Sequence, residues 1–171
     1  MKRFIYPCAI LIGAVGFFGC DEDNKFPPEP VINAISFEQP IKNLVINFTD
    51  GDGNLGLSER DTLPPFNAVE SDGSENRFHY NLWVDLYIRS EGAWVPADIP
   101  GTLDFRILNL TPTGQNKQID ARLTYEMFNT INDFYETGVL SPGDTIRFES
   151  QIVDRDLNVS AIASTEPVVL N

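Results

Sequence analysis

Apolar and polar residues alternate along five separate stretches of this chain, and that period of two constrains the fold more than any other feature. Leu44, Ile46 and Phe48 alternate with Val45, Asn47 and Thr49. Leu82, Val84, Leu86 and Ile88 alternate with Trp83, Asp85, Tyr87 and Arg89. Leu103, Phe105 and Ile107 alternate with Asp104 and Arg106, and Ile119, Ala121, Leu123 and Tyr125 with Asp120, Arg122 and Thr124. Ile146, Phe148, Ser150 and Ile152 alternate with Arg147, Glu149 and Gln151. Successive side chains of a strand point to opposite faces, so each stretch reads as a strand with one buried and one wet face, the antiparallel signature.

Residues 31–37 and 161–170 add two strands, which gives about seven within residues 31–171. Turn chemistry separates them: Ile99-Pro100-Gly101 opens one strand and Ser141-Pro142-Gly143-Asp144 another. The fold expected is all-β, an antiparallel sandwich of immunoglobulin type. One stretch departs from period two. Met127, Phe128, Ile131, Phe134 and Tyr135 fall at helical spacing, so residues 127–135 are expected to form a short helical crossover. Repeated helices between strands, which an α/β enzyme needs, are missing from the pattern.

Residues 1–19 read as an export leader. Lys2 and Arg3 precede an apolar run over residues 5–18, shorter than the ~20 residues that span a bilayer as a helix. Gly19 and then Cys20 follow. Gly16-Phe17-Phe18-Gly19-Cys20 resembles the lipobox of bacterial lipoproteins, although Phe17 and Phe18 stand where that family has an aliphatic and a small residue. The resemblance implies that Cys20 becomes the first mature residue and carries the lipid. Cys8 leaves with the leader, so the mature chain has no disulfide. Losing Lys2 and Arg3 makes the rest still more acidic than the −13 of the whole chain. A surface of that sign is repelled by anionic headgroups, which leaves the acyl chains as the membrane hold. Residues 20–30 are acidic and then proline-rich, and are expected to form a tether that lifts the domain by roughly 30 Å. The acidic cluster after Cys20 resembles the export signal of surface lipoproteins in the Bacteroidota, so the expected location is the outer membrane, facing either the periplasm or the exterior.

The acidic loops carry the chemistry. In Asp50-Gly51-Asp52-Gly53-Asn54-Leu55-Gly56, three oxygen-bearing side chains sit two apart with glycines between them. Such a loop curls so that alternate side chains face one point, as a Ca²⁺ cage of six to eight oxygens requires. Asp61 stands twelfth from Asp50, where an EF-hand loop has its last carboxylate, but Leu55 replaces that loop's glycine and no helices flank it. A second pair, Asp154 and Asp156 with Arg155 between them, lies before the last strand, and the sandwich topology would bring both loops to one end. The expected Ca²⁺ ligands are Asp50, Asp52, Asn54, Asp61, Asp154 and Asp156. Two alternatives stand beside them: Arg155 and Arg60 neutralise the carboxylates, or Asp and Asn serve turn backbone only.

Phe48-Thr49-Asp50-Gly51-Asp52-Gly53-Asn54-Leu55-Gly56-Leu57, with Asp154-Arg155-Asp156-Leu157-Asn158-Val159-Ser160, resembles Bacteroidota lipoproteins with an immunoglobulin-like domain. The resemblance covers the leader, the tether and both ends of the domain. It implies an outer-membrane lipid anchor and no reaction. Asp61-Thr62-Leu63 and Asp144-Thr145-Ile146 resemble the O-glycosylation motif of exported proteins in that group, which makes Thr62 a candidate for modification.

Function classes narrow accordingly. The negative charge excludes a phosphate-binding nucleic-acid partner. One His, two Met and two Cys leave little for a thiolate or imidazole metal centre, a Ser–His triad or a haem site, and His79 stands alone in a structural or surface role. The leading expectation is a lipid-anchored, non-enzymatic interaction module of the envelope, with a protein or glycan partner and a structural Ca²⁺ site. The alternative is a carbohydrate-binding accessory of a glycan-uptake system, with Trp83, Tyr87 and Trp94 as an exposed stacking platform; against it, a strand Trp more often packs into a core. A third class is a hydrolase with paired carboxylates drawn from Asp85, Asp104 and Glu149, for which no motif selects a pair.

Overall fold

The computed structural model describes residues 25–108, 110 and 117–171. The leader, Cys20 and residues 21–24 lie outside the described residues, so the expected lipidation site is among those not described. Eight strands and one helix follow in order: β1 Val31–Glu38, β2 Asn43–Asp50, β3 Leu82–Ser90, β4 Ala93–Pro96, β5 Ile119–Glu126, α1 Phe128–Glu136, β6 Thr145–Ile152, β7 Ala163–Ser164 and β8 Val168–Val169. One sheet has the order β1-β2-β5; the other runs β4-β3-β6-β7, with β8 also paired to β6. All pairings within the sheets are antiparallel. The chain therefore crosses between sheets after β2, after β4 and, through α1, after β5, which gives the immunoglobulin-type sandwich expected from the alternation.

The core lies between the two central strands. Leu44, Ile46 and Phe48 of β2 face Leu82, Val84 and Leu86 of β3 and Ile146, Phe148 and Ile152 of β6, all buried. Removing such side chains from water at about 25 cal/mol per Å² is the main stabilising term of the domain. Helix α1 closes one end by burying Ile131 and Phe134, and Met127 at its start is fully enclosed. Among the described residues, no helix is long and apolar enough to cross a membrane.

The fold departs from the expected strands in three places. Residues 103–107 do not form a strand. Only Phe105 pairs with Leu82, as an isolated bridge. The rest of that edge of β3 is met by side chains: the Asp104 carboxylate accepts the Val84 amide at 2.9 Å, and buried Asn81 bonds the backbone of Ile107 in both directions. Second, the strand that pairs with this edge of β3 is the short β4, unforeseen from the alternation, which follows a two-residue turn at Glu91-Gly92 with φ of 50° and 83°. Third, the long last strand is two short ones, β7 and β8, divided around Pro167.

The expected tether also ends sooner than residue 30. Residues 25–30 lie against the domain: Pro30 is buried, the Gly51 amide donates to the Pro27 carbonyl at 2.8 Å, and the Lys25 amide donates to Gln118 Oε1 at 3.1 Å.

Candidate metal centre

The inward-facing row of β2 runs Leu44, Ile46, Phe48 and then Asp50. The inward row of β6 runs Ile146, Phe148, Ser150 and Ile152, and two residues further comes Asp154. Each central strand thus carries its apolar face to the end of the sandwich and finishes it with a carboxylate. Because the two sheets face one another, those carboxylates meet. Asp50, Asp52 and Asp154 each place an oxygen within 4.8 Å of the others. Asp50 is 0% exposed and Asp154 1%, while Asp52 is half-buried at the mouth.

The Asp50 carboxyl decides the character of the site. Both of its oxygens are buried without a hydrogen-bond partner. The Asn54 and Leu55 amides face it and lower its pKa slightly, but neither closes a hydrogen bond on it. Burial, then the charges of Asp52 and Asp154, push the Asp50 pKa up to about 7. Burial also raises Asp154, and Asp52 adds to the effect, while the Asn158 amide and side chain, each at 2.8 Å, oppose it. Asn54 spends its amide nitrogen on Asp52 Oδ2 at 3.1 Å and Asp156 Oδ2 at 2.9 Å, and its Oδ1 is left buried without a partner. An unpaired buried charge costs several kcal/mol, so acceptors gathered this way are neutralised either by a proton, as the raised Asp50 pKa allows, or by a cation.

The donor set is all oxygen. Three carboxylates and the Asn54 carbonyl make a hard site that suits Ca²⁺, with bidentate carboxylates and water able to complete six to eight ligands. Glycine is required to shape it. Gly53 has φ of 67°, and a Cβ there would lie 1.7 Å from the Lys117 carbonyl oxygen.

The remaining expected ligands stand elsewhere. Asp61 accepts two hydrogen bonds from Arg155, at 2.7 and 3.1 Å, and a third from the Ser58 amide at 2.7 Å. The Arg155 guanidinium holds its carboxyl well below the usual carboxylate range. Asp61 is therefore not with the cation ligands; the twelve-residue count from Asp50 does not transfer, because the chain turns back at Ser58 and gives Asp61 to Arg155. Asp156 is exposed, and its carboxylate reaches the site through Asn54, while its backbone amide faces Asp154. Of the two neutralising guanidines considered, Arg155 serves Asp61, and among the described residues none of Asp50, Asp52 and Asp154 has a salt bridge.

The aromatic platform does not form as expected. Trp83 is only 8% exposed. Its indole N–H donates to the Arg77 and Tyr80 carbonyls, and the Arg77 guanidinium covers its ring at 4.6 Å. Stacking on Trp83 is closed by Arg77. Tyr87 and Trp94 are half-buried and share the Arg147 guanidinium, at 5.3 and 4.6 Å from the ring centres. The three carboxylates of the hydrolase reading are held by arginines: Asp85 and Asp104 by Arg77, Glu149 by Arg147. His79 bonds the Phe66 carbonyl and packs against Tyr80. Thr62 lies exposed in the loop that follows the acidic segment.

Sequence reasoning missed Asn81 and the docked residues 25–30, and it offered Arg155 as a neutralising partner without placing it on Asp61. Strand parity carried a usable signal for Asp50 and Asp154, since both continue an apolar row by two residues. Comparison with known proteins adds no relative: no family model matches the chain, and no curated protein or solved structure matches it.

Proposed function

We propose that this chain is a lipid-anchored, non-enzymatic β-sandwich module of the bacterial cell envelope, held at the outer membrane through Cys20, with a Ca²⁺ site built from Asp50, Asp52, Asp154 and Asn54. The cation stiffens one end of the sandwich, and that end presents a surface to a protein or glycan partner. The observation that carries the cation reading is the Asp50 carboxyl, fully buried, unpartnered and facing two further carboxylates. The anchor reading rests on the basic start, the short apolar run and Gly19-Cys20.

Both halves are testable. Isothermal titration of the metal-free chain with CaCl₂ gives a single saturable site, and Asp50→Asn removes it. Heat that is unchanged by Asp50→Asn would place any bound ion elsewhere. For the anchor, Cys20→Ala moves the protein from the membrane fraction to the soluble one; retention in the membrane would end that reading.

A further inference from the structure

The acidic loop is clasped from both sides by backbone. On one side the Gly51 amide donates to the Pro27 carbonyl at 2.8 Å. A Cβ on residue 51 would lie 2.3 Å from the Phe26 carbonyl oxygen and 2.4 Å from that of Pro27. Only the absence of a side chain lets the N-terminal segment sit there. On the other side Gly53 touches the Lys117 carbonyl, and next to it Gln118 accepts the Lys25 amide. The two clasping glycines alternate with Asp50, Asp52 and Asn54. The contacts that hold residues 25–27 and the oxygens that face the cation therefore belong to one five-residue stretch.

We infer that a cation on Asp50, Asp52 and Asp154 locks residues 25–30 against the domain and that loss of the cation releases them. This rests on the cation reading above. Without a counter-ion, three carboxylates within 4.8 Å repel one another, and the repulsion acts on residues 51–54 through Asp52, the half-buried one of the three. The Gly51 N–H moves with them, and its bond to Pro27 is lost. With the ion in place the loop is fixed and the bond is kept. The coupling is reciprocal: docking of the segment raises cation affinity by the same factor. Residues 25–30 lie between the domain and Cys20, so their release adds roughly 20 Å of extended chain to the reach of the module. Local calcium would thus set how far the domain stands from its anchor.

The test uses the full chain and a lysine-specific protease that does not itself need calcium. Cleavage after Lys25 reads release of the segment, and the calcium-induced rise in melting temperature reads cation binding separately. Calcium is expected to slow cleavage after Lys25 by about tenfold, since proteolysis follows the population of the open form. Gly51→Ala should abolish that protection and keep a calcium-induced rise in melting temperature. If Gly51→Ala does not fold, Gln118→Ala, which removes the acceptor of the Lys25 amide, should weaken the protection in the same way. A calcium-induced rise in melting temperature with unchanged cleavage after Lys25 would overturn the coupling and leave the cation site standing. No rise and no protection would overturn both.

Discussion

Two carboxylate sites share one end of this sandwich, and they are neutralised in opposite ways. Asp61 has its counter-charge in the chain: Arg155 grips it through two hydrogen bonds, and the Ser58 amide adds a third. Asp50, with Asp52 and Asp154 beside it, has no salt bridge among the described residues, and its two oxygens are unpartnered. The pKa shifts mirror the contrast, since Asp61 is held well below the usual range while Asp50 is pushed up to about 7. Neighbouring acidic residues in a sequence are thus not one site. The fold divides them into a pair that is complete within the chain and a cluster that has no cationic partner among the described residues.

The largest expected effect separates the two sites by metal dependence. Asp50→Asn should raise the stability of the calcium-free protein by about 1–3 kcal/mol, because it removes a buried unpaired charge. In calcium the same variant should lose most of the stabilisation that the ion gives. A urea midpoint measured in chelator and in calcium checks the change of sign. Arg155→Ala makes the opposite case. It should cost about 1–2 kcal/mol, between the values of exposed and buried pairs, and cost the same with or without calcium. A loss confined to one condition would merge the two sites into one.

Proton linkage sharpens the contrast. Asp50 has a raised folded-state pKa, so its contribution favours the fold below about pH 4 and is lost as the pH climbs towards 7. In chelator, unfolding midpoints should therefore fall over that interval, and calcium should remove the fall. Asp61 has a lowered folded-state pKa, so its contribution is present above the ordinary carboxylate pKa and is lost only on strong acidification. Asp61→Asn should leave the decline between pH 4 and 7 in place. The smallest effect belongs to Asp156, whose exposed carboxylate is linked to the cluster through Asn54. Asp156→Asn should weaken calcium binding by only about twofold and less at high salt, as expected for a screened surface charge.

Much of the fold was legible because β2, β3, β5 and β6 each turn an apolar row inward, which leaves a period of two in the sequence, although Val45, Thr49 and Trp83 on the opposite faces of β2 and β3 are buried as well. Residues 103–107 show the same alternation without being a strand. There Asn81 and Asp104 answer the backbone with side chains, and nothing in the alternation distinguishes a side-chain partner from a strand. Strand β4 is short, and only its Glu91-Gly92 turn announces it. Within the site, the closeness of the two acidic loops followed from topology. The fate of Asp61 did not, because Arg155 lies 94 residues away and its choice of carboxylate is settled by packing. Nor was the role of Gly51 visible, since a glycine in a loop does not say which backbone it lets approach.

A calcium titration of the melting temperature, run on the chain and on Asp50→Asn side by side, decides whether Asp50 holds a cation. An ion held only by the native state at about a thousand times its dissociation constant adds about 4 kcal/mol, which for a domain of this size raises the melting temperature by about 10 °C. The parent chain should show that saturable rise, and Asp50→Asn should not. A flat titration of the parent chain at millimolar calcium would contradict a cation site there and would leave Asp50 as a carboxyl that the fold buries in its protonated form.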